Sequence, residues 1–211
     1  MSCRRKLTAL RAARVLAVVL CVTVLAPPPL LASQVRLVNL EQMTQRAARI
    51  FSGRCTGVDV VFDSNLGRDV TVATFHVQRA VKGVSDKTVM VRMLDVAAVH
   101  GAASDVPAGV PTFRPGEEVV LFLYGESAQG LSSPVGLGQG RFRILTDKKG
   151  RKVALNDFAN SNLLNDLRPE TRARLKLKDD PSTGKTAPPQ SEEIEPTALL
   201  DAAEGLIAKR P

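Results

Sequence analysis

Cysteine, histidine and large aromatic side chains are scarce in this chain of 211 residues, which has three cysteines, two histidines, one tyrosine and no tryptophan. Cys3 and Cys21 lie within the first 33 residues, interpreted below as a removable leader, so Cys55 alone remains in the mature chain. An intramolecular disulfide is therefore excluded there, and an apolar core must stabilise the domain. We expect Cys55 to be buried on a strand, with pairing to another chain as the alternative.

The scarcity of histidine and cysteine also limits metal and catalytic chemistry. His76 is placed on a predicted strand and His100 in a long connection, and neither shares metal-ligand spacing with the other or with Cys55. No serine is marked by a nucleophile elbow. We therefore predict a protein that is not an enzyme and that has no metal and no cofactor.

One short motif resembles a calcium loop. Asp63-x-Asn65-x-Gly67-x-Asp69 spaces oxygen ligands suitably, but Thr74 stands where such a loop requires its final glutamate. Since predicted strands flank the motif, we interpret it as a hairpin turn.

The shortage of aromatic side chains argues against nucleic-acid binding. A binding site for single-stranded nucleic acid on a β-barrel needs exposed aromatic rings on which the bases stack. The mature chain has seven phenylalanines, mostly at core-like positions, and Tyr124 is the one candidate exposed ring. We therefore expect no nucleic-acid partner.

Residues 1–33 have the three-part layout of a secretory signal. An apolar run over 15–25 is followed by a proline-broken stretch that ends in the small residues Ala32 and Ser33, a cleavage site. The run is shorter than the roughly 20 residues that a membrane span needs. An uncleaved anchor is the alternative, and the Arg4-Arg5 pair leaves both the Sec and the twin-arginine route open. We predict export to the periplasm or the extracellular space, with no membrane span after cleavage. The basic residues of the leader are Arg4, Arg5, Lys6, Arg11 and Arg14.

The leader also carries most of the net charge. The whole chain has 29 basic and 21 acidic residues, a formal charge of +8. Removal of the leader leaves 24 basic and 21 acidic residues, a charge of +3. The high overall charge therefore does not support strong binding to nucleic acid or to a membrane surface.

Hydrophobic periodicity predicts a short helix followed by about six strands. Apolar residues recur at helical spacing over 39–50, where Asn39 can cap the helix. We expect a mainly β domain over 34–160, folded as a small antiparallel OB-like barrel. Its strands are predicted near 58–62, 70–81, 88–94, 117–124, 142–144 and 152–155.

The composition changes after this domain. Residues 161–195 are charged and rich in proline, which predicts a flexible linker. Residues 196–211 resume a helical pattern with one apolar stripe. The stripe must be buried against the barrel, a partner or a second copy, and the sequence leaves all three open. Its members are Leu199, Leu200, Ala203, Leu206 and Ile207.

Four segments in order resemble a group of uncharacterised exported bacterial proteins. These segments are 47–54 (AARIFSGR), 74–83 (TFHV…VKG), 113–123 (FRPGE…VLFL) and 136–142 (GLGQGRF). The group is similar in outline to netrin-like and metalloproteinase-inhibitor domains, and the resemblance implies an OB-type barrel over roughly 37–155. Those inhibitors meet a protease zinc with an N-terminal cysteine. Because Cys55 follows the first helix here, the resemblance does not extend to that mechanism.

A glycine-rich stretch leads into a basic ribbon. Gly136-x-Gly138-x-Gly140 precedes a strand and not a helix, which favours a tight bend or a close backbone approach over a phosphate cradle. The ribbon that follows is a candidate contact for an anionic polymer, and a solvated hairpin is the alternative. Strand alternation predicts that its first two arginines share one face. Its members are Arg141, Arg143, Lys148, Lys149, Arg151 and Lys152.

Together these features predict an exported, non-enzymatic binding or interaction module with an extracytoplasmic protein partner. The long connection over 95–116 and the C-terminal helix are the expected contact elements, because long loops and tethered helices commonly carry recognition. Three alternatives remain: an inhibitor or accessory of a secreted protease, a binder of anionic envelope polymer, and an unrecognised hydrolase built on a histidine beside a carboxylate. The candidate partner contacts are Phe113, Leu199, Leu200, Leu206 and Ile207.

Overall fold

The computed structural model describes residues 36–95, 111–175 and 194–208. The predicted leader, most of the long connection with His100, and residues 176–193 of the predicted linker lie outside the described residues. The predictions made for those segments therefore stay predictions.

A six-stranded antiparallel sheet forms the centre of the fold, in the spatial order β3-β2-β1-β4-β5-β6. The mainly β class, the number of strands and their antiparallel pairing are confirmed. The strands are β1 (Arg49–Asp63), β2 (Arg68–Lys82), β3 (Thr88–Leu94), β4 (Glu118–Leu123), β5 (Arg141–Thr146) and β6 (Lys152–Asn156).

The sheet is not closed into a barrel, and this part of the prediction is wrong. Among the described strands, β3 and β6 form the two edges and do not pair with each other. Three register shifts, after Ile50, Ser52 and Cys55, bend the pairing of β1 with β2. The bend curves the sheet without joining its edges. Strand periodicity is the same in an open sheet and in a barrel, so the sequence pattern could not distinguish them.

Three α-helices accompany the sheet in the described part of the chain: α1 (Leu40–Arg46), α2 (Pro169–Arg174) and α3 (Pro196–Ala208). The predicted cap of α1 is confirmed, since the Gln42 N–H donates to Asn39 Oδ1 at 2.9 Å. The helix ends at Arg46 and not near residue 50, because Ile50 pairs with Phe122 of β4. The N-terminal and C-terminal helices predicted from the sequence are thus both present.

Two apolar cores lie on opposite sides of β4. The first core, on the side of the helices, contains Leu40, Phe122 and Leu199. The second core, inside the curve of β1 and β2, contains Phe75 and Leu121. Alternate residues of β4 enter different cores, so the strand is apolar on both faces, as expected for a strand that lies inside the sheet between β1 and β5.

The C-terminal helix α3 docks on its own domain. Leu199 and Leu200 are buried in the first core. The segment before the helix extends the sheet edge, since the Ala154 N–H donates to the Ile194 carbonyl at 2.7 Å. On the outer side, Arg79 of β2 lies 2.7 Å from Asp201. The sequence left open whether the apolar stripe of this helix packs on the domain, a partner or a second copy. In the structure it packs on the chain's own domain.

The first part of the predicted linker also packs on the domain. Within residues 161–175, Leu163, Leu167 and Leu175 are buried in the first core. Glu41 of α1 accepts hydrogen bonds from the Thr171 hydroxyl at 2.8 Å and from Arg168 Nε at 3.1 Å, which ties α2 to α1. The compact unit therefore extends to residue 175, beyond the predicted boundary at 160.

Candidate functional site

The basic ribbon does not form one continuous cationic surface. The side chain of Arg141 is 7% exposed, whereas that of Arg143 is 42% exposed. Arg151 pairs with Asp147 at 2.6 Å, and Lys152 lies 2.7 Å from Glu118, which also contacts Arg54 at 2.6 Å. Lys148 and Lys149 are exposed in the turn between β5 and β6. The structure thus separates Arg141 from the rest of the predicted polymer contact.

Arg141 joins the segment that enters β4 to strand β5. Its guanidinium lies 2.7 Å from Asp157 and 3.5 Å from Glu117, and it donates to the Thr112 carbonyl. The same group lies over the ring of Phe113, 5.7 Å from the ring centroid. Its neighbours are thus two carboxylates, a carbonyl and an aromatic ring, all from this chain, and its role here is structural.

The five predicted partner contacts face the interior of the domain. Phe113 packs edge-on against Phe75, with 5.0 Å between ring centroids, in the second core. Leu199 and Leu200 are buried, and Leu206 and Ile207 are half-buried against the first core. These side chains are already used in intramolecular packing.

The residues considered for catalysis or metal binding do not form a common site in the described part of the chain. Cys55 is buried, as predicted, and burial raises the pKa of its thiol, so the reactive thiolate is disfavoured. His76 is exposed on β2. Within the described ranges, no cluster of three or more histidine, cysteine or acidic side chains is arranged to hold a metal ion.

The end of the β1–β2 hairpin presents an exposed apolar surface that sequence analysis missed. Val60, Val61 and Phe62 are 57%, 43% and 67% exposed, and they follow one another at the end of β1. We call these three residues the hairpin tip. The sequence pattern predicted a strand over these residues, but it did not indicate that Val60 and Phe62 would be exposed. The available signal was the run of three apolar residues between Asp59 and Asp63.

Asp63 holds the turn beyond the hairpin tip in one conformation. Its Oδ1 accepts the N–H groups of Asn65 and Leu66 at 2.9 and 3.2 Å. Its Oδ2 accepts from Arg92 Nη2 of β3 at 2.6 Å. The interpretation of this motif as a hairpin turn is confirmed. The carboxylate thus links the turn next to the hairpin tip to strand β3, and these hydrogen bonds hold the turn in place.

We expect the turn to keep its bonds to Asp63 at unusually low pH. The hydrogen bond from Arg92, together with the two amides, holds the pKa of Asp63 below the usual range of an aspartate. The stabilisation is fully present above the unfolded-state pKa and is lost as the pH falls through the lower folded-state pKa. Amide NMR shifts of Asn65 and Leu66 followed against pH will report that pKa. Arg92→Gln should move the midpoint upward, and an unchanged midpoint would contradict the assignment.

An apolar groove of about 440 Å³ lies near the same end of the sheet. Leu94 of β3, Tyr124 and Leu137 line it and are exposed, so the ring expected at the surface is there. Val61 pairs with Val70, and Val70 pairs with Leu94, so the three side chains form one row across β1, β2 and β3. The hairpin tip and the groove therefore belong to the same end of the molecule.

No protein-family model and no curated protein matches this chain. The resemblance to exported OB-like proteins therefore stays a prediction. Among the described helices, none has the length and apolar character required to cross a membrane.

Proposed function

We propose that this protein is an exported, non-enzymatic module that binds an extracytoplasmic protein through the hairpin tip. The observation that carries the proposal is the exposure of three successive apolar side chains on a braced hairpin. Exposed apolar patches of this kind commonly mark interaction sites, and aromatic side chains are frequent binding hot spots. The exposed position of His76 supports a role other than hydrolysis.

The surroundings of the hairpin tip indicate the chemistry of the partner. Asp59 is exposed and Asp69 half-buried beside it, while the charge of Asp63 is balanced by Arg92 and Arg68 adds one exposed cation. The local charge is therefore acidic. A complementary protein surface would offer an apolar pocket rimmed by lysine or arginine. A secreted protease with such a pocket would be one example, and the inhibitor hypothesis is thus contained in this proposal.

The hydrogen bonds that hold the turn also lower the entropic cost of binding a partner. Ordering a mobile loop opposes association, whereas the hairpin turn is already held in one conformation by the hydrogen bonds of Asp63 to Asn65 and Arg92. The hairpin tip is therefore expected to act as a rigid anchor.

The test is site-specific photocrosslinking in the native host. A photoreactive residue at Phe62 should capture one protein from envelope or medium fractions, and the same residue at exposed Lys149 should not. The captured protein is then purified and titrated calorimetrically with the full mature chain. Phe62→Ser should weaken binding by about thirtyfold or more, the effect of losing a hot spot of about 2 kcal/mol.

Leu145 provides the matched control. It is an apolar residue of β5 that is 41% exposed, away from the hairpin tip. Leu145→Ser should leave the dissociation constant unchanged. Equal capture at residues 62 and 149, or an unchanged constant for Phe62→Ser, would overturn the proposal.

A further inference from the structure

The two edges of the sheet are covered differently. At β6, the chain's own Ile194 adds to the edge through its bond with Ala154. At β3, the described residues supply one backbone hydrogen bond to the outer side, from the Ser132 N–H to the Arg92 carbonyl at 2.8 Å. Open strand edges are templates for further pairing, and proteins usually protect them.

The register shows which backbone groups of β3 face outward. The Val77 N–H donates to the Lys87 carbonyl, and the Asp95 N–H donates to the Asp69 carbonyl, at the two ends of the β2–β3 ladder. Hydrogen-bonded and non-hydrogen-bonded pairs alternate in an antiparallel ladder. Thr88, Met90 and Arg92 therefore direct their N–H and C=O groups away from β2. Of these groups, the Arg92 carbonyl is the one bonded to Ser132.

A groove of about 390 Å³ runs beside this outward edge. Thr88, Met90 and Arg92 of β3 line the groove. Glu126 and Gly130, from the connection between β4 and β5, line it as well. Met90 is 61% exposed, although it lies in the middle of the strand. Residues 88–92 extend over about 14 Å at roughly 3.4 Å per residue, which suits a partner strand of about five residues.

We infer that this groove binds an extended peptide segment of a protein partner, which adds as a seventh strand to β3. Backbone donors and acceptors that have no partner in the described part of the chain, at strand spacing, can be paired by another extended backbone, and main-chain bonds supply the affinity in such complexes. The connection that carries Glu126 and Gly130 borders the groove, so a single strand fits better than the sheet edge of a second copy. The inference rests on the proposed binding function, but it does not require the hairpin tip.

The test uses the full mature chain and a phage-displayed library of random 12-residue peptides, counter-selected on Met90→Pro. Proline is tolerated at an edge position whose N–H faces outward, so this variant is expected to fold while losing the donor. Synthetic copies of the selected peptides should bind Met90→Pro at least about tenfold more weakly than wild type. Met90→Ala keeps the backbone donor and should change the constant by less than about threefold. N-methylation of alternate peptide amides should abolish binding in one register and spare it in the other.

Phe62→Ser separates this inference from the proposed function. If strand addition occurs, this variant binds the selected peptides as tightly as wild type, even where the hairpin tip has no partner. Loss of peptide binding in Phe62→Ser would place the peptides at the hairpin tip and overturn the strand addition alone. The inference is also overturned if no peptide is enriched over Met90→Pro, or if N-methylation in both registers is tolerated.

Discussion

Replacing Arg141 with methionine is expected to lower the free energy of unfolding by about 3–5 kcal/mol at neutral pH, as for other buried ion pairs that lose one partner. The Arg141 side chain is 7% exposed, and its removal takes away the cation that Asp157 and Glu117 share. Methionine retains much of the apolar length, so the loss reports chiefly the unpaired charge. Urea denaturation of the chain without the predicted leader, at an unchanged m value, measures the effect.

Arg143→Met is the matched control for this prediction. Its side chain is 42% exposed and lies 3.9 Å from Asp157, so we expect a loss of less than about 1 kcal/mol. The double variant Arg141→Met with Asp157→Leu should recover part of the stability, because it removes both charges. Equal effects of Arg141→Met and Arg143→Met would show that the Arg141 guanidinium is solvated. That outcome would return Arg141 to the candidate polymer surface.

Gly140→Ala is expected to cost about 3 kcal/mol, the upper end of the usual range for overpacking. A Cβ at Gly140 would lie 2.6 Å from the Val135 carbonyl oxygen, 2.7 Å from the Val135 nitrogen and 2.9 Å from the Phe122 carbonyl oxygen. All three atoms belong to the backbone and cannot rotate away. The Val135 N–H also donates to the Phe122 carbonyl at 2.8 Å, so relief of the clash would break this hydrogen bond to β4. The close backbone approach expected for the glycine-rich stretch is confirmed at this residue.

Gly57→Ala, in β1, provides the comparison. A Cβ at Gly57 meets no atom within 4 Å, and the backbone there is not left-handed. Alanine restricts the unfolded chain at such a site, so stability should rise by about 0.4–1 kcal/mol. Thermal and urea unfolding of both variants checks the pair. Similar midpoints for Gly140→Ala and Gly57→Ala would contradict the assigned role of Gly140.

Local patterns predicted individual elements well where one face of the element is buried. The bounds of β3, Thr88–Leu94, coincide with those expected from its alternating valines and methionines. The cap at Asn39 was visible because its side chain bonds within one helical turn. The end of α1 was missed because Ile50 suits helical spacing and strand pairing equally well. Its pairing with Phe122 is a contact between residues distant in the chain.

The hairpin tip was not predicted from the sequence, for a related reason. The alternation of Val58, Val60 and Phe62 indicates a shared face, but it does not indicate how far a covering layer extends. Val58 packs against the second core, whereas Phe62 extends beyond it. The expected contacts at Leu199 and Leu200 were reasonable for an apolar stripe, yet the stripe is buried on the chain's own sheet.

By itself, the sequence determined the mainly β class, the strands and their order along the chain, the two terminal helices and the apolar stripe that had to be buried. These properties depend on residues close together in the chain, whose spacing sets which side chains share a face. The tertiary structure alone decided that the sheet stays open, that Arg141 is buried between Asp157 and Glu117, that α3 docks in cis, and that the hairpin tip and the β3 edge are exposed. Each of these depends on which distant segments meet, and a periodic pattern carries no information about that pairing.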